Sequence, residues 1–183
     1  MKQKIFGVTV AKLTASFGQT IYMVGLSLFF GAILGILLAL VLVLCRKGGL
    51  KENRIVYGIV STFVNIVRSV PFVILIVTIM PLTRAIMGTT IGSTAALVPR
   101  IFYISPYMAR LVENSLLEVS DGIIEAARAM GATTFQTVWN FLLPEALGSI
   151  VLALTTGTIG LLGASAMAGY VGGGGIGDLA LTY

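Results

Sequence analysis

The feature that most constrains this chain is a long stretch without a charged residue, from Leu13 to Leu44. As a helix rising about 1.5 Å per residue, it exceeds the roughly 30 Å hydrocarbon core of a bilayer. The whole sequence agrees, because 57% of its 183 residues are hydrophobic and only 10% are charged, whereas soluble chains carry about 25% charged residues. The composition predicts an integral membrane protein and excludes a soluble domain and a disordered chain.

The basic residues Lys2 and Lys4 before this stretch also suit a secretory signal peptide. The apolar core of a signal peptide, however, is only about 7–15 residues long, and no convincing small-x-small cleavage site follows the stretch. We therefore predict a retained membrane span with an interfacial lead-in.

The charges are scattered along the chain rather than grouped. Twelve basic and seven acidic residues give a net charge of +5, and with no basic tract we predict no nucleic-acid partner. Cys45 is the only cysteine and histidine is absent, which removes an intrachain disulfide and the usual zinc and haem ligand sets. We predict no metal site, no catalytic residue and no cofactor held by this chain.

Four apolar segments are predicted as membrane spans, and the second leaves two arrangements open. In the preferred one, residues 55–67 lie in the interface and the span begins near Pro71, which suits a first helical turn. In the other, one helix runs through and places Arg68 near mid-bilayer, at a cost of about 2.5 kcal/mol or more. The predicted spans are 17–44, 70–86, 95–112 and 147–170.

Four spans also predict an orientation, because basic residues collect on the cytoplasmic side. With the N-terminus outside, the basic loop 46–54 and the polar segment, defined here as residues 113–145, face the cytoplasm. This orientation puts seven basic residues inside and four outside, and leaves Arg100 within the membrane.

The polar segment holds five of the seven acidic residues and signals for two short helices. Ser120 or Asp121 can cap the first helix, and Gly131 can end it in the left-handed conformation. Thr133 or Thr134 can cap the second, predicted over 135–142 and broken before Pro144. A solvated hairpin that merely connects spans is the simplest interpretation of such a segment.

A specific pattern favours more than a connector. The residues are Glu125-Ala126-Ala127, then three residues, Gly131, nine residues, Phe141, one residue and Leu143-Pro144. This spacing resembles the signature cytoplasmic loop of permease subunits in binding-protein-dependent ABC importers. Further segments are similar to the permeases of methionine importers: Arg68-Ser69-Val70-Pro71-Phe72, Met80-Pro81-Leu82-Thr83-Arg84, Gly88-Thr89-Thr90-Ile91-Gly92, residues 109–114 and Ser165-Ala166-Met167.

The resemblance implies an all-α helical bundle of the type I ABC importer permease class in the bacterial cytoplasmic (inner) membrane. It also implies a permease homodimer, two cytoplasmic ATPase subunits that use ATP and Mg, an extracytoplasmic solute-binding protein, and lipid. In the polar segment, Glu125 would supply a charge contact to the ATPase, Ala126 and Ala127 close approach, and Gly131 the turn.

The sequence departs from the family pattern in three places. Phe141 replaces an aliphatic residue, and Trp139 and Asn140 stand where basic residues are expected. Family members continue with a fifth span, so we expect four spans of five here, with the C-terminal span missing.

Arg100 has three interpretations. It could snorkel outward on its long stem, pair with Glu113 three turns away, or meet a substrate carboxylate. The small residues of the fourth span could pack against neighbouring helices or border a translocation path. The predicted substrate path consists of Arg100, Ser165 and Met167.

Other classes of function fit less well. The glycines at 172–175 are followed by no lysine that could reach a phosphate, so an ATPase site within the chain is not expected. The predicted spans hold no acidic residue, which a transporter driven by an ion gradient would need. The chain has no histidine that could act as the base of an intramembrane enzyme. The alternatives kept are a permease for another amino acid or small polar solute, and a truncated, inactive permease that acts only as a membrane scaffold.

Overall fold

The computed structural model describes residues 4–5, 8–169 and 172–182, and these are almost entirely helical. Two antiparallel strands of two residues each, β1 (Lys4–Ile5) and β2 (Val8–Thr9), precede the first helix. The elements that follow are α1 (Val10–Cys45), α2 (Arg54–Ser69), α3 (Phe72–Thr78), α4 (Met80–Met87), α5 (Leu97–Leu117), α6 (Asp121–Ala129), α7 (Thr134–Gln136), the π-helix π1 (Thr137–Leu142), α8 (Leu143–Glu145), α9 (Leu147–Ala168) and α10 (Gly175–Thr182). The predicted all-α membrane bundle is confirmed.

The core forms where α1 packs along α5, and glycines allow the contact. A Cβ on Gly35 would lie 2.5 Å from Met108 Cβ, and one on Gly31 would overlap Ile104 Cγ2. Both pairs step forward by four residues, so α1 and α5 run parallel. Small residues at such positions let helix backbones approach closely in a membrane.

The third core helix is α9, which runs antiparallel to α5. Gly157 faces Met108, whereas Ser149 near the start of α9 bonds Glu118 just past the end of α5. Side chains from all three helices, including Ala39, Ile104 and Leu161, form the main hydrophobic cluster.

Between α1 and α5 the chain turns sharply, and α2 meets α3 at 108°. Val70 is extended (φ −82°, ψ 122°), as expected for a residue before proline. The preferred division near Pro71 is therefore confirmed as a helix boundary, although the depth of α2 in the membrane stays a prediction.

The segment predicted as the span 70–86 contains two helices, because Ile79 separates α3 from α4; that it crosses the membrane stays a prediction. Pro81 explains the break: its ring would clash with the carbonyl of Val77 in a continuous helix. Pro81 instead lies in the first turn of α4, where its missing N–H matters least.

One further boundary differs from the prediction. Helix α5 continues to Leu117, so the first five residues of the polar segment belong to it. After the glycine-rich residues 172–174, α10 begins at Gly175; Val171 lies outside the described residues, as does Tyr170 at the end of the predicted fourth span.

Helix α10 begins beneath side chains of α1. The Gln19 side-chain carbonyl accepts from Gly175 N–H (3.1 Å), and the Thr20 hydroxyl accepts from Ile176 N–H (2.9 Å). These bonds satisfy two of the amide groups that a helix start leaves free, so α1 caps α10.

By length and composition, two helices in the described part of the chain, α1 and α9, can cross a membrane, or up to three if the bent pair α2–α3 counts as one span. Helix α5, which covers most of the predicted third span, falls outside this count because it carries Arg100, Arg110 and Glu113. The prediction of four spans is thus matched only approximately.

Candidate functional site

The polar segment is built around α6, and its signature residues divide between two faces. Ala127 is fully buried, whereas Glu125 and Ala126 are exposed. Asp121 lies in the first turn and Arg128 in the last, the charge placement that complements the helix dipole. Ser120 occupies the N-cap position but makes no side-chain cap bond, so only the position was predicted correctly.

Gly131 ends this helix as predicted, with φ at 80°. Gly131 N–H donates to the Arg128 carbonyl (2.9 Å) and Ala132 N–H to the Ala127 carbonyl (3.0 Å), which is the paired bonding of a Schellman motif. A side chain at this position would meet no neighbour within 4 Å, so the need for glycine is one of backbone conformation alone.

The second helix starts at the predicted cap. The Thr133 hydroxyl accepts from Gln136 N–H (3.3 Å), and the Gln136 side chain accepts from Thr133 N–H (2.9 Å), forming a capping box. Phe135 and Trp139 then stack, with ring centroids 6.3 Å apart, on an exposed face.

The predicted break before Pro144 is wrong, because the chain continues helically through π1 into α8. Leu143 N–H bonds the Val138 carbonyl five residues back. A wider π turn moves carbonyls away from the proline ring, and so allows a proline that an α-helix would reject. Phe141 and Leu143 are half-buried and Pro144 is exposed.

The polar segment is bonded to α9 and lies across a cavity from the basic loop. The Ser149 hydroxyl of α9 donates to Glu118 Oε2 (2.8 Å), which joins the first part of the segment to the helix that follows it. A cavity of about 370 Å³ separates α6 from the basic loop, and Arg46, Lys47, Asp121, Glu125 and Arg128 are among the residues that line it. The basic loop and the polar segment therefore share one end of the bundle, as the predicted orientation requires.

A second candidate region surrounds Arg100 in α5. Its side chain is 0% exposed, so the interpretation that it snorkels outward is wrong. The interpretation that it pairs with Glu113 is also wrong, because Glu113 Oε2 accepts from Arg110 Nη1 at 2.6 Å. Of the other substrate-path residues, Ser165 is buried and Met167 is exposed, so the structure does not bring all three together.

The polar network around Arg110 was not predicted from the sequence. Arg110 Nη2 donates to the Ser61 hydroxyl (2.6 Å), the Ser61 carbonyl (3.2 Å) and Asn65 Oδ1 (3.0 Å). Two signals could have found it: Arg110 and Glu113 are three residues apart on one helix, and Ser61 and Asn65 four apart on another.

Residues 31–182 match the family of binding-protein-dependent transport system inner membrane components. The probable D-methionine transport system permease protein MetI of Vibrio cholerae is 48% identical over 93% of this chain and 76% of its own length. The corresponding Pasteurella multocida protein is 44% identical over 90% and 76%, and the Escherichia coli K12 protein MetI is 48% identical over 82% and 70%.

Solved structures agree. An inward-facing structure of the MetNI methionine ABC transporter superposes with a TM-score of 0.93 and 46% identity, over 94% of this chain and 80% of the matched chain. An amino acid ABC transporter shares the fold, with a TM-score of 0.75 at 21% identity over 93% and 76%. Fold and matches together define a helical membrane permease subunit of the ABC importer class. The chain belongs to the binding-protein-dependent transport system inner membrane component family.

Proposed function

We propose that this chain is the permease subunit of an ABC importer that moves methionine across the bacterial cytoplasmic membrane, driven by ATP hydrolysis in a partner subunit. The observation that carries the proposal is the polar segment, in which a glycine-terminated helix presents Glu125 and Ala126 outward. The methionine specificity rests on relatives named as D-methionine permeases.

In this proposal α6 docks on the ATPase subunit. The exposed Ala126 allows close approach, and Glu125 offers a charge to a basic partner group. Ala127 is buried, and α6 packs against π1, in which Val138 and Leu142 are also buried. A push on α6 therefore reaches π1, and π1 continues through Leu143 and Pro144 towards α9. This continuous path couples ATPase closure to a membrane helix.

The assembly we propose is a permease homodimer with two cytoplasmic ATPase subunits, which bind ATP and Mg, an extracytoplasmic solute-binding protein, and surrounding lipid. The N-terminus lies outside and the polar segment in the cytoplasm, since the shared end of the bundle carries the basic loop. Arg100, Ser165 and Met167 are proposed to border the substrate path, with Arg100 and Ser165 inside the bundle and Met167 on its surface.

Copurification tests the docking role. The tagged complex is solubilised, and retention of the ATPase subunit and ATP-dependent methionine uptake are compared for the parent, Gly131→Asp and Gly88→Asp. Gly88 is a matched control, because it also has a positive φ (74°), ends a helix and has no neighbour within 4 Å of a built Cβ, but it lies outside the polar segment.

We expect Gly131→Asp to insert in the membrane yet lose both ATPase retention and uptake, while Gly88→Asp keeps both. Normal uptake in Gly131→Asp would contradict the docking role of α6.

A further inference from the structure

Three buried polar side chains in the bundle core lack a partner. Arg100 Nε, Nη1 and Nη2 have no hydrogen-bond partner among the residues that the structure describes, and the hydroxyls of Ser27 and Ser165 have none either. All three residues are buried, and Arg100 and Ser27 are completely enclosed. They belong to different helices, α5, α1 and α9.

The helix register places these side chains at one level. Gly31 lies against Ile104, and α1 runs parallel to α5, so one turn earlier Ser27 meets the level of Arg100. Gly157 lies against Met108, and α9 runs antiparallel, so two turns later Ser165 reaches that same level. One guanidinium with five donor hydrogens and two hydroxyls therefore lie at the same level of three packed helices.

A fully buried guanidinium without a protein acceptor favours an anion as its partner. A buried charge without a partner is strongly unfavourable, and Arg100 makes no ion pair with an acid in the described part of the chain. Glu113 is instead paired with Arg110, and Glu118 is bonded to Ser149. The planar guanidinium fork matches a carboxylate in bidentate geometry, and a serine hydroxyl can donate one further bond to each side.

We propose that Arg100, Ser27 and Ser165 form a binding site for one small monovalent anion. Two sources share this chemistry, the carboxylate of the transported amino acid and chloride. The first source rests on the proposed function, whereas the second does not. Helix α10 covers the site, because its Gly177 packs against the Ser165 carbonyl.

The test measures thermal unfolding of the full-length protein in its solubilised ATPase complex. In one arm chloride replaces gluconate at constant ionic strength; in the other L-methionine is compared with L-methioninol, which lacks the carboxylate. A ligand that binds only the folded state raises the melting temperature by mass action. We expect a saturable rise in the parent, loss of the rise in Arg100→Leu, and a full rise in Arg84→Leu, the exposed control.

Two further variants keep the test decisive if Arg100→Leu fails to fold. Ser27→Ala and Ser165→Ala each remove one hydrogen bond to the anion. The dissociation constant of the anion is therefore expected to rise about tenfold in each variant. A rise with methionine but not methioninol assigns the site to the substrate carboxylate, and a rise with chloride alone assigns it to a halide. No rise with either anion, or an equal rise in Arg100→Leu, overturns the site.

The outcome is separable from that of the proposed function. ATPase retention and uptake in the parent report on the function, and they do not depend on the anion titration. If both hold while no anion raises the melting temperature, only the Arg100 site fails.

Discussion

Arg110 Nη1 lies 2.6 Å from Glu113 Oε2 on the same face of α5, and its other terminal nitrogen crosses to Ser61 and Asn65 of α2. The two charged side chains are only 16% and 5% exposed. Through Arg110, this buried ion pair connects α2 to the bundle core by hydrogen bonds.

Removing one partner of this pair is expected to destabilise the protein strongly. Arg110→Leu leaves Glu113 buried and unpaired, and loss of one partner from a buried pair costs about 3–5 kcal/mol. Thermal or chemical unfolding of the solubilised protein measures the change. Arg54→Leu is the matched control, because the Arg54–Glu52 pair is 75% and 40% exposed and surface pairs contribute about 0–1 kcal/mol. An equal loss of unfolding free energy in both variants would show that the buried Arg110 network stabilises the protein no more than the exposed Arg54–Glu52 pair does.

Gly35→Ala is expected to force α1 away from α5. The new methyl group would lie 2.5 Å from Met108 Cβ and 2.9 Å from the Ser105 carbonyl oxygen, and such overpacking costs about 1–3 kcal/mol. Gly25→Ala on the same helix meets no atom within 4 Å, so it should be neutral or gain up to about 1 kcal/mol from helix propensity. Unfolding measurements on both variants decide the point, and an unchanged Gly35→Ala protein would refute the close approach of these helices.

The conformation of Gly131 predicts an order among its substitutions. Because φ is 80°, alanine there is strained by about 1–2 kcal/mol, whereas asparagine visits this region more readily. Methionine uptake and the melting temperature should therefore fall in the order glycine, Asn and Ala, with Gly122→Ala, at a residue of ordinary φ in α6, as the control. An alanine variant better than the asparagine variant would contradict the left-handed turn.

Glu52 predicts a pH dependence in the loop between α1 and α2. The Gly48 N–H bond (3.0 Å) and the Arg54 side chain hold the pKa of Glu52 below its usual value. A lowered folded-state pKa means that the ionised Glu52 carboxylate stabilises the folded protein. This stabilisation is fully present above the unfolded-state pKa and is lost as the pH falls through the folded-state pKa. In an NMR titration the chemical shift of the Gly48 amide should follow the protonation of the Glu52 carboxyl. Arg54→Gln should shift the midpoint of this titration to a higher pH. A midpoint that Arg54→Gln leaves unchanged would exclude the contribution of Arg54.

Local signals account for what could be predicted from the sequence. The uncharged run predicts α1, a glycine after an apolar helical pattern predicts the end of α6, and the threonines at 133 and 134 predict the cap of α7. Each depends on residues within one or two helical turns, where backbone conformation and hydrogen bonding are decided locally. Pro71 likewise marks the boundary between α2 and α3.

The errors concern partners that are distant in sequence or a proline effect that context altered. Glu113 pairs with Arg110 and not with Arg100, and the three-residue spacing of Arg110 and Glu113 favours that pair. No local spacing, however, shows that α2 packs against Arg110. The start of α10 at Gly175 depends on Gln19 and Thr20, 156 residues earlier. At Pro144 a π turn accommodated the ring, so the helix continued where proline ordinarily stops it.

The capping of α10 by α1 has a consequence for assembly. An eight-residue helix is too short to be stable alone, because helix nucleation is costly. Its two opening amides find their acceptors on the first helix of the chain, which is synthesised long before it. Helix α1 is thus synthesised before α10 and supplies the hydrogen-bond acceptors that the start of α10 needs. The order of synthesis therefore favours correct packing of α10 in the bundle.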